Sequence, residues 1–332
     1  MTTQVAGRRN GARKLPFLNP ALAARWFVGA VCAVSETAGG LCAELAFRTP
    51  PRFKPTRQEI ERLGRAARSF VRGSRGEIAL WHWGNGPRVL LAHGWGSHAG
   101  RLTAFVPELL AAGFGVTAFD APGHGQSAGR FASLPEFVEA VDLIARAISP
   151  VALVGHSLGA AACVLALKSG TRSRAVVLLS PPADPGAYTR RWARWMRLRP
   201  KAVDAMRRQL ERRYGSALDD YRLAASAPAV PTLIVHDRGD TRVPVANARA
   251  LAQSWPDARV VETRGLGHHR ILRNREVRRL VAQFLVVAAL GAREAHRVSP
   301  AHRLETSAVR RARGAARVAR FLKPGVMAQS RA

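Results

Sequence analysis

Short apolar runs recur through the central two thirds of the chain. They fall at 89–92, 115–119, 151–154, 175–179, 232–235 and 259–262. Each is four or five residues long and lacks the alternation of a half-exposed strand. That pattern suits strands buried on both faces. Segments of helical period separate most of them, at 104–112, 134–147, 160–168 and 246–253. Strands alternating with helices predict an α/β protein, a mostly parallel central sheet with helices on both faces. The run 78–83 does alternate and reads as an early antiparallel strand. Before it, two Pro residues at 50 and 51 and Pro55 break the chain, and a short helix is expected over about 57–72.

The rhythm fails at 182–228. No strand pattern appears there, and 192–197 and 202–214 look helical. Tyr188, Trp192, Trp195 and Met196 fall at i, i+4, i+7 and i+8, one apolar helix face. This face either packs on the body or roofs an apolar pocket, which makes Trp192, Trp195 and Met196 candidate substrate contacts.

The chemistry sits just after strand ends, where open α/β sheets place their sites. The run 151–154 leads into Gly155-His156-Ser157-Leu158-Gly159 and then a helix. A G-x-S-x-G between a strand and a helix can form a sharp turn that lifts the serine hydroxyl clear of the backbone. Upstream, 88–92 runs into His93-Gly94-Trp95-Gly96-Ser97, a turn able to aim a backbone N–H at a carbonyl oxygen. Downstream come His236-Asp237-Arg238-Gly239-Asp240 and Gly265-Leu266-Gly267-His268-His269. A serine needs a base within reach, and an imidazole needs a carboxylate to fix its tautomer.

These pieces, with Phe119-Asp120-Ala121-Pro122-Gly123-His124-Gly125-Gln126-Ser127 and Val243-Pro244, resemble the α/β-hydrolase fold, alpha/beta hydrolase-1 type. The resemblance spans 89–268 and implies a serine hydrolase with a helical lid at 182–228. It implies Ser157 as nucleophile, Asp240 as the orienting acid and His268 as base. The N–H groups of Trp95 and Leu158 would form the oxyanion hole. His93, Gly94 and His156 stand near enough in the motifs to be candidate substrate contacts. Asp237 reads as a loop-capping or solvent-exposed acid, His269 as a surface neighbour and His124 as a structural turn residue. A serine at the nucleophile position disfavours epoxide opening and dehalogenation. An ester or thioester is the expected substrate. An amidase or peptidase with the same triad, and a non-catalytic binding relative, are the alternatives.

No metal-ligand spacing, dinucleotide fingerprint or P-loop appears, so no cofactor is expected. Cys32, Cys42 and Cys163 make no disulfide framework. The net charge of +30 comes from 52 basic and 22 acidic residues, nearly all of the excess being Arg, as in a GC-rich bacterial coding sequence. Residues 1–75 carry 14 basic and 4 acidic residues and 291–332 carry 10 and 2, whereas 76–181 are nearly balanced. A basic surface attracts anionic lipid or nucleic acid. No nucleic-acid motif accompanies it, so a specific nucleic-acid partner is not expected, and weak association of the termini with an anionic membrane is.

Three segments follow from this: a basic extension with an apolar helix at 1–75, a catalytic domain at 76–290 and a basic tail at 291–332. The uncharged run 26–35 is about half of the ~20 residues needed to span a bilayer. It reads as a helix docked on the body, a membrane-surface helix or a secretory signal. The expected location is the bacterial cytoplasm, with a peripheral place at the inner membrane as the variant.

Overall fold

Every position of 115–119 and 175–179 is buried, as strands covered on both faces require. The computed structural model describes residues 20–291. Its strands are β1 (Ala67–Gly73), β2 (Gly76–Trp83), β3 (Arg88–Ala92), β4 (Gly115–Phe119), β5 (Ala152–His156), β6 (Ala175–Leu179), β7 (Thr232–Asp237) and β8 (Arg259–Thr263). Its helices are α1 (Pro20–Val34), α2 (Glu36–Phe47), α3 (Arg57–Leu63), α4 (Val106–Ala111), α5 (Leu134–Ile148), α6 (Leu158–Lys168), α7 (Pro185–Trp195), α8 (Pro200–Tyr214), α9 (Ala246–Ser254), α10 (Gly267–Arg270) and α11 (Arg275–Leu285).

All eight strands form one sheet, ordered β1-β2-β4-β3-β5-β6-β7-β8. β1 with β2 and β2 with β4 are antiparallel, and every other pair is parallel. Alternate residues divide the core into two layers. Leu90, Leu153, Leu178 and Ile234 pack with Phe137, Val141 and Ile144 of α5 and with α6. Leu91, Val154, Val177 and Val235 pack with Leu109 of α4 and Val277, Val281 and Leu285 of α11. Neither the helix at 275–285 nor the π-helical turn Val286–Leu290 after it is among the sequence expectations.

The expected helix over 57–72 is two elements. Thr56 caps α3 through a reciprocal box with Glu59, and Gly64 closes the helix. β1 then pairs with β2 from Ala67↔His82 to Gly73↔Gly76. β1 is an edge strand with most side chains exposed, so its apolar content does not announce it. The expected boundary at 75/76 therefore falls inside a hairpin of the sheet.

The N-terminal helices form a third, smaller core away from the sheet. Val28 and Ala43 pack with Met196, Met206 and Leu210. Ser35 caps α2 by accepting from the Ala38 N–H at 3.3 Å. Gly40 lets α2 press on α8, since a Cβ there would lie 2.5 Å from the Ala202 carbonyl oxygen and 2.6 Å from the Ala205 Cβ. Buried Glu44 accepts from Arg213 of α8 at 3.0 Å and pairs with buried Arg48 at 3.1 Å. In this structure, α1 and α2 are docked on the segment between β6 and β7. The basic residues at 1–14 and the tail beyond 291 lie outside the described residues.

Candidate active site

β5 and α6 meet at Ser157, and the meeting is tight. Ser157 has φ 53° and ψ −119°, a conformation a β-carbon disfavours, at a cost of about 1–3 kcal/mol. Two glycines make room for it. A Cβ at Gly155 would stand 2.5 Å from the Ala160 Cα, and one at Gly159 would stand 2.4 Å from the carbonyl oxygens of both Ala92 and His93. The Ser157 N–H donates to the Leu179 carbonyl at 2.9 Å, tying the turn to the neighbouring strand. Ser157 lines a cavity.

Asp240 lies on the loop after β7, and His268 lies on α10, the short helix after β8. His268 Nδ1 donates to Asp240 Oδ2 at 2.7 Å, and the pair is buried. Asp240 Oδ1 accepts from the N–H groups of Arg242 and Val243, both at 2.9 Å. Burial alone would raise the Asp240 carboxyl. Donors from His236, His268 and Val243 outweigh it and hold the group well below the usual carboxylate range. His236 Nε2 donates to the Val243 carbonyl at 2.8 Å and lies 3.5 Å from Asp240 Oδ2, so it braces the same loop. Ser157 Oγ and the His268 ring are not hydrogen-bonded, and such bonds often tighten only with substrate. The ring is nonetheless close to the turn. His156, one residue before Ser157, donates from Nε2 to the His268 carbonyl at 3.0 Å, and the two rings are 4.7 Å apart.

The turn after β3 is held by buried neutral imidazoles. His93 Nδ1 donates to the Gly94 carbonyl at 2.7 Å, and Nε2 accepts from the Ala121 N–H at 2.9 Å. His124 Nδ1 donates to the Pro122 carbonyl at 2.9 Å, and Nε2 accepts from the Gly96 N–H at 3.0 Å. Burial lowers His93 to about 4, and burial with the nearby His93 lowers His124 to about 3. Asp120 accepts from the N–H groups of Ala99 and Gln126, both at 2.7 Å, and so binds this turn to the 120–127 loop. Gly94 packs against the serine, where a Cβ would be 3.0 Å from the Ser157 Cβ. The N–H of Leu158, first residue of α6, has no partner within its helix. The Trp95 N–H is likewise unengaged among the described residues.

The cavity over Ser157 has a volume of about 930 Å³, and its lining is mostly apolar. Trp95, Leu158, Trp192, Trp195 and Met196 all line it. Phe47 of α2 lies edge-on to Trp192 at 5.4 Å and stacks on Trp95 at 6.3 Å, closing one wall.

Two family models cover most of this architecture. One described as serine aminopeptidase, S33 matches residues 86–217, and one described as TAP-like protein matches 215–296. The fold matches a monoacylglycerol lipase from Paleococcus ferrophilus with a TM-score of 0.51 at 26% identity, over 64% of this chain and 99% of that one. It also matches the Pyrococcus furiosus esterase Pf2001 with a TM-score of 0.54 at 20% identity, over 71% and 98%. The chain has the α/β-hydrolase fold, and it is similar to esterases and lipases.

The sequence of this α/β-hydrolase is 36% identical over 114 residues to a pimeloyl-[acyl-carrier protein] methyl ester esterase from Methylococcus capsulatus, covering 31% of this chain and 42% of that relative. The same-named esterase from Chromobacterium violaceum is 29% identical over 223 residues, covering 54% of this chain and 86% of that one. The first match thus spans less than half of its relative. Both family models begin after α1 and α2, which lie outside the matched residues.

The structure brings Asp240 to His268 and sets His268 beside the Ser157 turn. Trp192, Trp195 and Met196 line the cavity, whereas His93, Gly94 and His156, expected to contact substrate, do not. Both ring nitrogens of His93 and Nε2 of His156 are bonded to backbone groups, and Gly94 has no side chain to offer. Asp237 is a loop cap and is not solvent-exposed: it accepts from the Gly239 N–H, the Thr263 hydroxyl and the Leu266 N–H at 2.8–2.9 Å. His269 is exposed beside His268. Cys163 is buried and unpaired. The wall contributed by Phe27, Val28, Cys42 and Phe47 is absent from the sequence expectations. Gly39-Gly40 is the one mark of it, a pair of glycines inside a helix where a neighbour must approach closely. Among the described residues, no cluster of three or more His, Cys, Asp or Glu is arranged to hold a metal ion.

Proposed function

We propose that this α/β-hydrolase is a serine hydrolase that cleaves a carboxylic ester or thioester through an acyl-enzyme. Ser157 Oγ attacks the acyl carbon while His268 takes its proton. Asp240 holds the imidazole in the Nδ1–H tautomer and stabilises the imidazolium that forms. The carbonyl oxygen becomes an oxyanion that accepts from the N–H groups of Trp95 and Leu158. The C–O or C–S bond then breaks, and His268 returns the proton to the leaving oxygen or sulfur. Water, deprotonated by His268, attacks the Ser157 ester and releases the carboxylic acid and the free serine.

The strained Ser157 beneath an apolar cavity carries this reading. His268 already bonded to Asp240 and two unengaged N–H groups beside the serine support it. The relatives named as esterases and as a lipase support ester cleavage. The cavity's size and lining favour an acyl chain of several carbons over acetate.

An amidase or peptidase with the same triad is a second reading, favoured by the serine aminopeptidase description of the matching model over 86–217. A panel of p-nitrophenyl esters from acetate to laurate, beside aminoacyl p-nitroanilides, separates the two. Ester turnover and fluorophosphonate labelling are expected in the wild type. Ser157→Ala should lose both, with kcat falling about 10⁶-fold. Anilide cleavage exceeding ester cleavage would favour the peptidase. A folded wild type that neither turns over nor labels would overturn the catalytic reading.

A further inference from the structure

The outer face of α1 breaks the ordinary rule for a surface helix. Its exposed positions are Leu22, Ala23, Trp26, Phe27, Gly29, Ala30, Ala33 and Val34, and none is polar. Trp26 is 80% exposed, Phe27 63% and Val34 91%. At a helix's angular step these residues form one contiguous stripe, while Val28 faces the third core. Soluble monomers seldom leave a continuous apolar stripe in water without a use for it. Leu41 and Leu45 of α2 and Trp195 of α7 are also exposed.

Two observations say what covers the stripe. Phe27, Leu45 and Trp195 are each exposed and each line the cavity over Ser157, so they stand at its mouth. The charge around the mouth is positive. Arg194 and Arg197 flank Trp195, are exposed, and have no acidic partner among the described residues. α1 itself carries one basic side chain, Arg25, and no acidic one. An apolar helix face with Trp at its rim and arginines beside it matches a membrane interface with anionic headgroups. No described helix is long and apolar enough to cross a membrane, so the helix would lie on the surface.

We propose that the exposed face of α1, with Trp195 and its flanking arginines, is a docking surface for an anionic phospholipid bilayer. α1 lies along the headgroup boundary with Trp26 and Val34 among the acyl chains. The cavity mouth then opens toward lipid, and an acyl chain reaches Ser157 without crossing water. That last consequence rests on the hydrolase reading; the docking does not.

Flotation with vesicles tests it, using full-length Ser157→Ala so that binding is read without turnover. The protein is expected to float with phosphatidylcholine–phosphatidylglycerol vesicles, and far less with phosphatidylcholine alone. Trp26→Glu with Val34→Glu should cut flotation about tenfold or more, because two charges would have to enter the interface. Both side chains are exposed and neither lines the cavity. The same double substitution in the active-serine form should therefore keep its circular dichroism and its turnover of a soluble short-chain ester. No flotation on anionic vesicles would overturn the proposal. So would undiminished flotation of the folded double variant, which would place the contact on the basic termini. A dimer by light scattering that the double variant dissociates would also overturn it, by giving the face to a second copy. Flotation without any ester turnover in the wild type would instead sink the hydrolase reading and leave the docking surface.

Discussion

The floor and the roof of the cavity are built on different principles. The floor is the strand-end cluster of Ser157, Asp240, His268 and the turn at 93–97. Its frame is held by short polar contacts, while the Ser157 hydroxyl and the Trp95 and Leu158 N–H groups are left unengaged, and Gly94, Gly155 and Gly159 sit where a Cβ would crowd their neighbours. The roof is α1, α2, α7 and α8, held by a small apolar core and one buried ion cluster at Glu44. The floor has one workable geometry. The roof has only to be apolar and to fit, so side chains there can change size at moderate cost. On the proposed function, the floor would specify the reaction and the roof the acyl groups that reach it.

Substitutions can break that division or sharpen it. Asp240→Asn should have the largest effect, a fall in kcat of about 10⁴-fold toward every ester in the panel, because the imidazole loses its orienting anion. Its stability effect has a defined pH window. Asp240 titrates below its unfolded value, so its contribution is present above about pH 4 and fades as the pH falls below that. Denaturant midpoints of wild type and Asp240→Asn should thus lie well apart at neutral pH and converge in acid. A gap that widened in acid would contradict the assignment.

Gly159→Ala comes next. The new Cβ would strike two backbone oxygens at 2.4 Å, neither of which can rotate away. We expect a loss of about 3 kcal/mol or more in denaturant unfolding, and loss of turnover with it. Gly40→Ala makes the matching test in the roof. Its Cβ would press on the α8 backbone at Ala202, at a cost of about 1–3 kcal/mol. Here kcat/KM for laurate should drop while that for acetate holds. Equal losses on both esters would show that roof and floor are mechanically one unit. Trp192→Ala should be mildest, shifting the chain-length optimum with about tenfold change in the ratio of long to short esters. An unchanged profile would remove Trp192 from the acyl pocket.

The same division explains what could be read in advance. The positions of Ser157, Asp240 and His268 were legible because each follows a strand end within a local motif, and β5, β7 and β8 keep their chain order across the sheet. Strands β3 to β7 were legible because burial on both faces leaves continuous apolar runs, whereas β8 is an edge strand with no buried position and was marked by Val260-Val261 and its place in the alternation. β1 was not, since an exposed edge strand takes its shape from pairing with β2 and carries little apolar pattern. The roof was half legible. The helix face of Tyr188, Trp192, Trp195 and Met196 was visible, yet its partners were not, because nothing local links α7 to Phe47. Glu36, Gly39, Gly40 and Glu44 interrupt the apolar pattern of 20–47. In the fold each lies at a contact: Glu36 is 3.9 Å from Arg199, Gly39 abuts Cys32, Gly40 abuts α8 and Glu44 holds Arg213. Such contacts are invisible to periodicity because both partners must be known. His93 and His156 do not line the cavity for a related reason. Proximity to a motif is not access to its cavity, and both ring nitrogens of His93 and Nε2 of His156 are bonded to backbone groups.

The bond between Glu44 and Arg213 joins positions 169 apart in the chain. During synthesis α1 and α2 are made first and must wait, apolar face bare, until α8 has left the ribosome. Strands β3 to β6 can assemble in the meantime, since their partners lie nearer in sequence, whereas β7, β8 and the residues Asp240 and His268 follow α8. The roof can therefore close before the floor is complete. Long-range closure of this kind places the burden of early misassembly on α1 and α2, and leaves the floor to be finished beneath them.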